Sequence, residues 1–442
     1  MTTTYWCEHA WLGGDDAVTG VTITVEGDRI VTVTTGTATA PPGATVLRGL
    51  TLPGLANAHS HAFHRGLRGR TQRGTGSFWT WREQMYTLAA TLDPDRYHRL
   101  ARAVYGEMVL AGITGVGEFH YLHHGPGGTP YADPNAMGEA VVAAAGEAGV
   151  RLTLLDTCYL HGGIGAEPDP VQRRFSDGDA RAWATRASAL APGPAVRVGA
   201  AIHSVRAVDP TSMEIVGAWA AAAGAPLHAH VSEQPAENDQ CEATYGCSPT
   251  ELLARHGVLS ERFTAVHATH LTDTDVALLG RHRATCCFCP TTERDLADGI
   301  GPSRALVDAG APLALGSDSH AVIDLFEEAR AVELHERLAS NVRGNHTAAA
   351  LATMGTAHGH ASIGWPDAGR LAPGALADLV TVGLDSVRLV GTPTDAVLAG
   401  VVFAGTAADV RHVVVGGRVV VRDGAHTAFD VAAELAAALE AS

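Results

Sequence analysis

The chain has 442 residues, 46% of them hydrophobic, and a formal net charge of -16. This length suits two or three average domains or one large barrel with an appendage. The negative balance excludes non-specific binding to nucleic acid or to an anionic membrane, so an anionic substrate needs a local arginine cluster.

No apolar run is long enough for a transmembrane helix, and Met1-Thr-Thr-Thr-Tyr-Trp lacks the basic start of a signal peptide. Every one of the 31 basic residues is arginine. A Schiff-base lysine, a phosphate-loop lysine and a carbamylated lysine between two metals are therefore excluded. Seven cysteines are present, and Cys286, Cys287 and Cys289 cluster without a second, matched pair. A zinc knuckle is not expected. Small buried strand residues in a reducing cytoplasm are.

Residues 1 to about 50 read as short strands, with Val21–Val25 and Arg29–Val33 alternating around Gly27-Asp28. This β unit is too short to bury a core alone. Residues from about 372 onward look like its complement. Ala377–Val382 starts a strand, Val410–Val415 and Arg418–Val421 form a hairpin across Gly416-Gly417, and Ala428–Leu439 is a closing helix. A small β-sandwich built from both chain ends is expected.

The middle, 51–371, alternates strand and helix. Strands are expected at Leu52–Ala58, Ile113–Phe119, Leu152–Cys158, Val196–His203, Leu227–Val231, Phe263–Thr269, Ala284–Cys289 and Pro312–Gly316. Ala-rich helices such as Ala136–Ala148 and Met213–Ala223 lie between them. Eight strands in that alternation predict a (β/α)8 TIM-like barrel.

Catalytic groups of such a barrel sit at the C-terminal strand ends. Leu52 to His61 ends in His-Ser-His, and the two imidazoles share one face of a strand. The second strand ends in Glu118-Phe-His-Tyr121, the fourth in His203 with Arg206 beyond, and the fifth in His228-Ala-His-Val-Ser-Glu233. The sixth contains His267 and His270, and the eighth ends in Gly316-Ser-Asp-Ser-His320.

His59, His61, His230 and Asp318 supply three imidazoles and one carboxylate, a set suited to Zn²⁺ or Fe²⁺ more than Mg²⁺. One such metal would make hydroxide available near neutral pH. Glu233 can shuttle a proton of that water, His267 can hydrogen-bond hydroxide or substrate, and Asp318 can accept a proton while bound. One of His228 and His230 is a core histidine if the strand is irregular. His123 and His124 read as loop residues, and His270 and His320 as no closer than a second layer.

In this ordered set the chain resembles the amidohydrolase superfamily from residue 1 to about 425, and within it the formimidoylglutamate deiminases of histidine breakdown. The restrictive blocks are His59-Ser-His-Ala-Phe-His-Arg65, Ser77-Phe-Trp-Thr-Trp-Arg-Glu83, Glu118–His124, His203-Ser-Val-Arg206, His230–Gln234, Cys289-Pro-Thr-Thr-Glu293 and Gly316–His320. The resemblance implies one zinc ion on His59, His61, His230 and Asp318, with Glu233 and His267 beside its water. Two-metal relatives need a bridging carboxylated lysine, and this chain has no lysine.

The implied reaction turns N-formimidoyl-L-glutamate into N-formyl-L-glutamate and ammonia in a cytoplasmic homodimer. Its two carboxylates call for guanidinium forks, and Arg82 and Arg206 are the candidates, helped by Tyr121, His203 and His64. His64 stands where the family usually has Gln, and an imidazole keeps a donor there. Arg65 reads as structural or functional. Phe78, Trp79 and Trp81 suggest a buried or lid-like setting for Arg82.

Two other readings have distinguishing features. A superfamily deaminase acting on a neutral purine, pyrimidine or triazine needs no pair of arginines. A non-catalytic metal-binding scaffold would lose metal ligands, whereas here every expected ligand is present.

Overall fold

The computed structural model describes residues 2–73 and 75–440. Four strands open the chain: β1 (Thr2–Ala10), β2 (Val18–Glu26), β3 (Arg29–Thr34) and β4 (Thr45–Pro53). Eight more alternate with helices: β5 (Leu55–Ser60), β6 (Ile113–His120), β7 (Arg151–Cys158), β8 (Val196–Ile202), β9 (Leu227–Val231), β10 (Phe263–His267), β11 (Thr285–Phe288) and β12 (Leu313–Leu315). The last four are β13 (Leu379–Val382), β14 (Val410–Val415), β15 (Arg418–Arg422) and β16 (Ala425–His426).

β5 to β12 form one parallel sheet in chain order. β6 and β7 are buried along their whole length, as strands covered on both faces must be. The ring closes at its C-terminal end through a parallel bridge between Ser60 and Asp318. There the Asp318 N–H donates to the His59 carbonyl at 3.1 Å, and the His61 N–H to the Asp318 carbonyl at 3.3 Å. Gly316 permits this closure, because a Cβ there would lie 2.8 Å from both the His59 Cβ and the Cys289 Sγ.

The other eight strands form one sheet in the order β16-β15-β14-β13-β4-β1-β2-β3. The chain ends are zipped together where Leu52 on β4 pairs antiparallel with Val380 on β13. The sheet curls around one apolar cluster that joins Ile23 and Val25 to Leu379 and Val414. The Tyr5 hydroxyl reaches the Gly417 carbonyl across it at 3.5 Å.

Several strand boundaries differ from the sequence expectation by a residue or two, and the start of the first barrel strand differs most. Leu52 and Pro53 belong to β4, and the first barrel strand starts at Leu55. Gly54 is the break, since any Cβ there would run into the Thr114 side chain. Both flanking strands are buried, so the apolar run reads as continuous and hides the corner.

Three helices pack around the first strands of the barrel: α1 (Phe78–Thr91), α2 (Pro94–Leu110) and α3 (Ala136–Ala148). Asp93 caps α2 by accepting from the Arg96 N–H at 2.8 Å, with Pro94 in the first turn. The end of α1 is held by a buried arginine: Arg174 donates from Nη1 to the Ala89 carbonyl and from Nη2 to the Leu92 carbonyl. No helix among the described residues is long and apolar enough to cross a membrane.

A buried ion pair ties the barrel to the second sheet. Arg151 at the start of β7 donates from Nε and Nη2 to Asp378, at 2.7 and 3.2 Å, and the Gly416 N–H completes the carboxylate at 2.7 Å. Asp378→Ala strands the guanidinium and is expected to cost about 3–5 kcal/mol of stability. Denaturant unfolding checks this, and a loss below about 1 kcal/mol would show the pair to be dispensable.

Candidate active site

His59 and His61 leave the end of β5 on the same side, as a period of two requires. His230, near the end of β9, and Asp318, just past β12, meet them. His230 Nε2 lies 3.2 Å from His59 Nε2, and Asp318 Oδ1 lies 3.3 Å from His59 Nε2 and 3.4 Å from His61 Nε2. Donors about 2.0–2.1 Å from a tetrahedral zinc lie roughly 3.3–3.4 Å apart, so the set has the size of one such ion.

The ring orientations agree. His61 Nδ1 donates to the Phe119 carbonyl and His230 Nδ1 to the His203 carbonyl, each at 2.9 Å. Both Nε2 atoms therefore turn lone pairs to the shared centre. Burial pushes the His61 pKa down to about 3 and holds His59 and His230 below their ordinary value. Burial works the other way on Asp318, but hydrogen bonding and charge from His59 hold its carboxyl below the usual range. The cluster is thus neutral imidazole with carboxylate, the protonation state that binds metal.

Glu233 and His267 stand beside this centre. His267 Nε2 is 3.7 Å from Glu233 Oε1 and 3.9 Å from Asp318 Oδ2. Behind it, Nδ1 faces Glu293 Oε1 at 3.5 Å, and that same oxygen accepts from the Cys289 N–H at 2.8 Å. Burial disfavours a charge on His267, yet Glu233, Glu293 and Asp318 raise its pKa well above the ordinary value. Burial also raises the Glu233 carboxyl. Sequence reasoning assigns no role to Glu293; the Cys289-Pro-Thr-Thr-Glu293 block is its signal.

The backbone is strained at these positions. Ser232, His267, Ala268, Asp318 and His320 all have positive φ, between 43° and 68°, although none is glycine. Such residues persist only where surrounding structure holds them, and they gather at functional sites.

Above the cluster, α1 and the loops after β6, β7 and β8 wall a pocket shared by His64, Arg82, Tyr121, His203 and Arg206 with His61, His230, Glu233, His267 and Asp318. His64 Nε2 and the Tyr121 hydroxyl are 2.8 Å apart. The Arg82 guanidinium lies over the Trp79 ring at 4.5 Å. The same pocket is lined by two carboxylates, Glu233 and Asp318, and by two arginines, Arg82 and Arg206. The aromatic setting expected for Arg82 is mixed: Trp81 lines the pocket, Trp79 is 43% exposed, and the Phe78 side chain lies outside the described residues.

Several histidines are placed elsewhere. His228 Nε2 donates to the Ser362 carbonyl at 2.9 Å inside the core. His320 sits behind the first barrel strand, 3.2 Å from the Ser60 hydroxyl. Glu118 also faces Ser60 and the Ala62 N–H, at 2.6 Å each, and so buttresses the His-Ser-His turn from outside the cluster. Arg65 is paired with Glu107 at 2.7 Å.

His123 and His124 lie just past β6, as expected, but are buried in a polar network. With His120 and Asp156, His123 forms a second group of metal-type side chains. There both Asp156 oxygens already accept from Arg186 at 2.8 Å, and Trp183 Nε1 adds a third bond. Arg186 also donates to Asp177, which meets His124 at 3.0 Å. A guanidinium therefore occupies the place of a cation, and the network is structural.

A parallel eight-stranded barrel with this mouth defines a hydrolytic barrel enzyme with a candidate metal centre. The sequence profile of the amidohydrolase family matches residues 50–420. A formimidoylglutamate deiminase of Pseudomonas aeruginosa is 38% identical over 397 residues, 87% of each chain. A 5-methylthioadenosine/S-adenosylhomocysteine deaminase of Natronomonas pharaonis is 30% identical over 377 residues, 85% of this chain and 82% of that one. Among solved structures, an amidohydrolase from Brucella melitensis superposes with a TM-score of 0.91 at 34% identity, over 99% of both chains. The chain belongs to the amidohydrolase family, and it is a hydrolase acting on a carbon–nitrogen bond.

Proposed function

We propose that this chain hydrolyses N-formimidoyl-L-glutamate to N-formyl-L-glutamate and ammonia with one zinc ion. The observation that carries the reading is a pocket lined by both signs of charge: a cationic amidine head suits Glu233 and Asp318, and two carboxylates suit Arg82 and Arg206. Similarity to a formimidoylglutamate deiminase supports it.

His59, His61, His230 and Asp318 would hold the ion. When bound, it supplies a Lewis acid and lowers the pKa of a water to about 7. Glu233 takes a proton from the attacking water and delivers it to the departing nitrogen, so that one water enters and one ammonia leaves. His267 directs an N–H toward the charge that builds on the attacked group. Arg82 and Arg206 hold the carboxylates as forks, and Tyr121, His203 and His64 complete the walls around them. The Tyr121–His64 contact gives the imidazole at position 64 a fixed partner.

Ammonia release decides between this reading and a purine-type deaminase. Zinc-loaded protein should turn over formimidoylglutamate with kcat/KM of about 10⁴ M⁻¹s⁻¹ or more. Chelation should abolish the activity and zinc should restore it. Faster turnover of 5-methylthioadenosine or S-adenosylhomocysteine would overturn the substrate assignment, and chelator-resistant activity would overturn the metal.

A further inference from the structure

Four residues beyond Glu233 stands a second carboxylate to which the deimination chemistry gives no task. Glu237 lies in the first turn of the helix Pro235–Tyr245, and its side chain is 0% exposed. No side chain donates a hydrogen bond to either carboxylate oxygen among the described residues, and the Glu233 backbone is the hydrogen-bonding group beside it. Its ion-pair partner is Arg206, whose Nε lies 3.8 Å from Glu237 Oε2. Burial, opposed by the Arg206 charge, raises the Glu237 carboxyl to about 7.

A buried acid is costly unless a cation compensates it, and Arg206 is the cation beside Glu237. Here the carboxylate faces the Nε edge of a guanidinium that itself lines the substrate pocket. A fork onto a ligand carboxylate uses a pair of guanidinium N–H groups in one plane. A carboxylate on the Nε side, 3.8 Å away, favours one setting of that plane.

We propose that Glu237 is a positioning residue that orients the Arg206 guanidinium for the substrate's carboxylate. This rests on the proposal that the substrate is a dicarboxylate. Glu237 touches neither substrate nor metal ligands; it acts through Arg206. The first turn of a helix, where the dipole favours an anion, is a rigid place from which to do so. It thereby decides how sharply the pocket distinguishes a dicarboxylate from a neutral analogue of the same shape.

The test compares formimidoylglutamate with its diamide, in which both carboxylates are replaced by neutral amides. Wild-type enzyme should prefer the dicarboxylate. Glu237→Gln should raise KM for the dicarboxylate by about tenfold or more, and lose at least ten times more kcat/KM on it than on the diamide. In an Arg206→Met background the same substitution should have no further selective effect. Glu237→Asp, with a shorter carboxylate, should show a smaller version of the same loss and carries the test if the Gln variant does not fold. An equal loss on both substrates, or none, overturns the role of Glu237 alone. Wild-type preference for the diamide overturns the substrate reading instead.

Discussion

Glu233→Gln is expected to bind zinc as the wild type does and to lose about a thousandfold in kcat. The substitution keeps size and reach, and removes the ability to accept and return a proton together with the charge that acts on His267. Glu233 is buried beside His267 and close to Asp318, where burial raises its pKa toward the range useful for proton transfer. An amide there leaves the attacking water without a base and the leaving nitrogen without an acid. Metal analysis and kcat on the same preparation check it. A variant with normal zinc and near-normal turnover would move the proton shuttle to another group.

Arg206→Met comes second. Methionine fills much of the arginine stem's space and removes its charge. Truncating one partner of a desolvated charge pair costs roughly 2–5 kcal/mol, a factor of about 30 to several thousand in kcat/KM for the dicarboxylate. Metal content should not change, because the candidate ligands are His59, His61, His230 and Asp318 and Arg206 is not among them. The substitution also leaves Glu237 buried without its ion-pair partner, so part of the loss will appear as lower stability. Unfolding midpoints measured beside the kinetics separate the two effects. Unchanged kinetics on formimidoylglutamate would remove Arg206 from the site.

Much of the architecture is legible in the amino-acid order. The barrel strands announce themselves as short apolar runs bounded by Gly, Pro and Ala-rich helices, and Leu227–Val231 and Ala136–Ala148 fall where periodicity puts them. His59-Ser-His61 is readable because a strand repeats every two residues. The absence of lysine alone excludes a lysine-bridged pair of metals. These features are local, set by a few neighbouring residues and the geometry of one strand or helix.

Other features depend on what the chain meets after it turns back on itself. Gly54 separates two strands because Thr114, far along the chain, occupies the space a side chain would need. His228 and His230 share one face of their strand, and only the Ser362 carbonyl beside the first and His59 beside the second assign them to core and cluster. Metal-type residues recur at His120, His123 and Asp156, where Arg186 makes the group structural. Glu237 is an unremarkable acid in sequence, Glu293 stands in a recognisable block without a role, and both acquire meaning from Arg206 and His267 beside them. Periodicity reports which face a residue occupies, whereas charge pairing and burial depend on distances between segments far apart in the chain, which only the closed barrel sets.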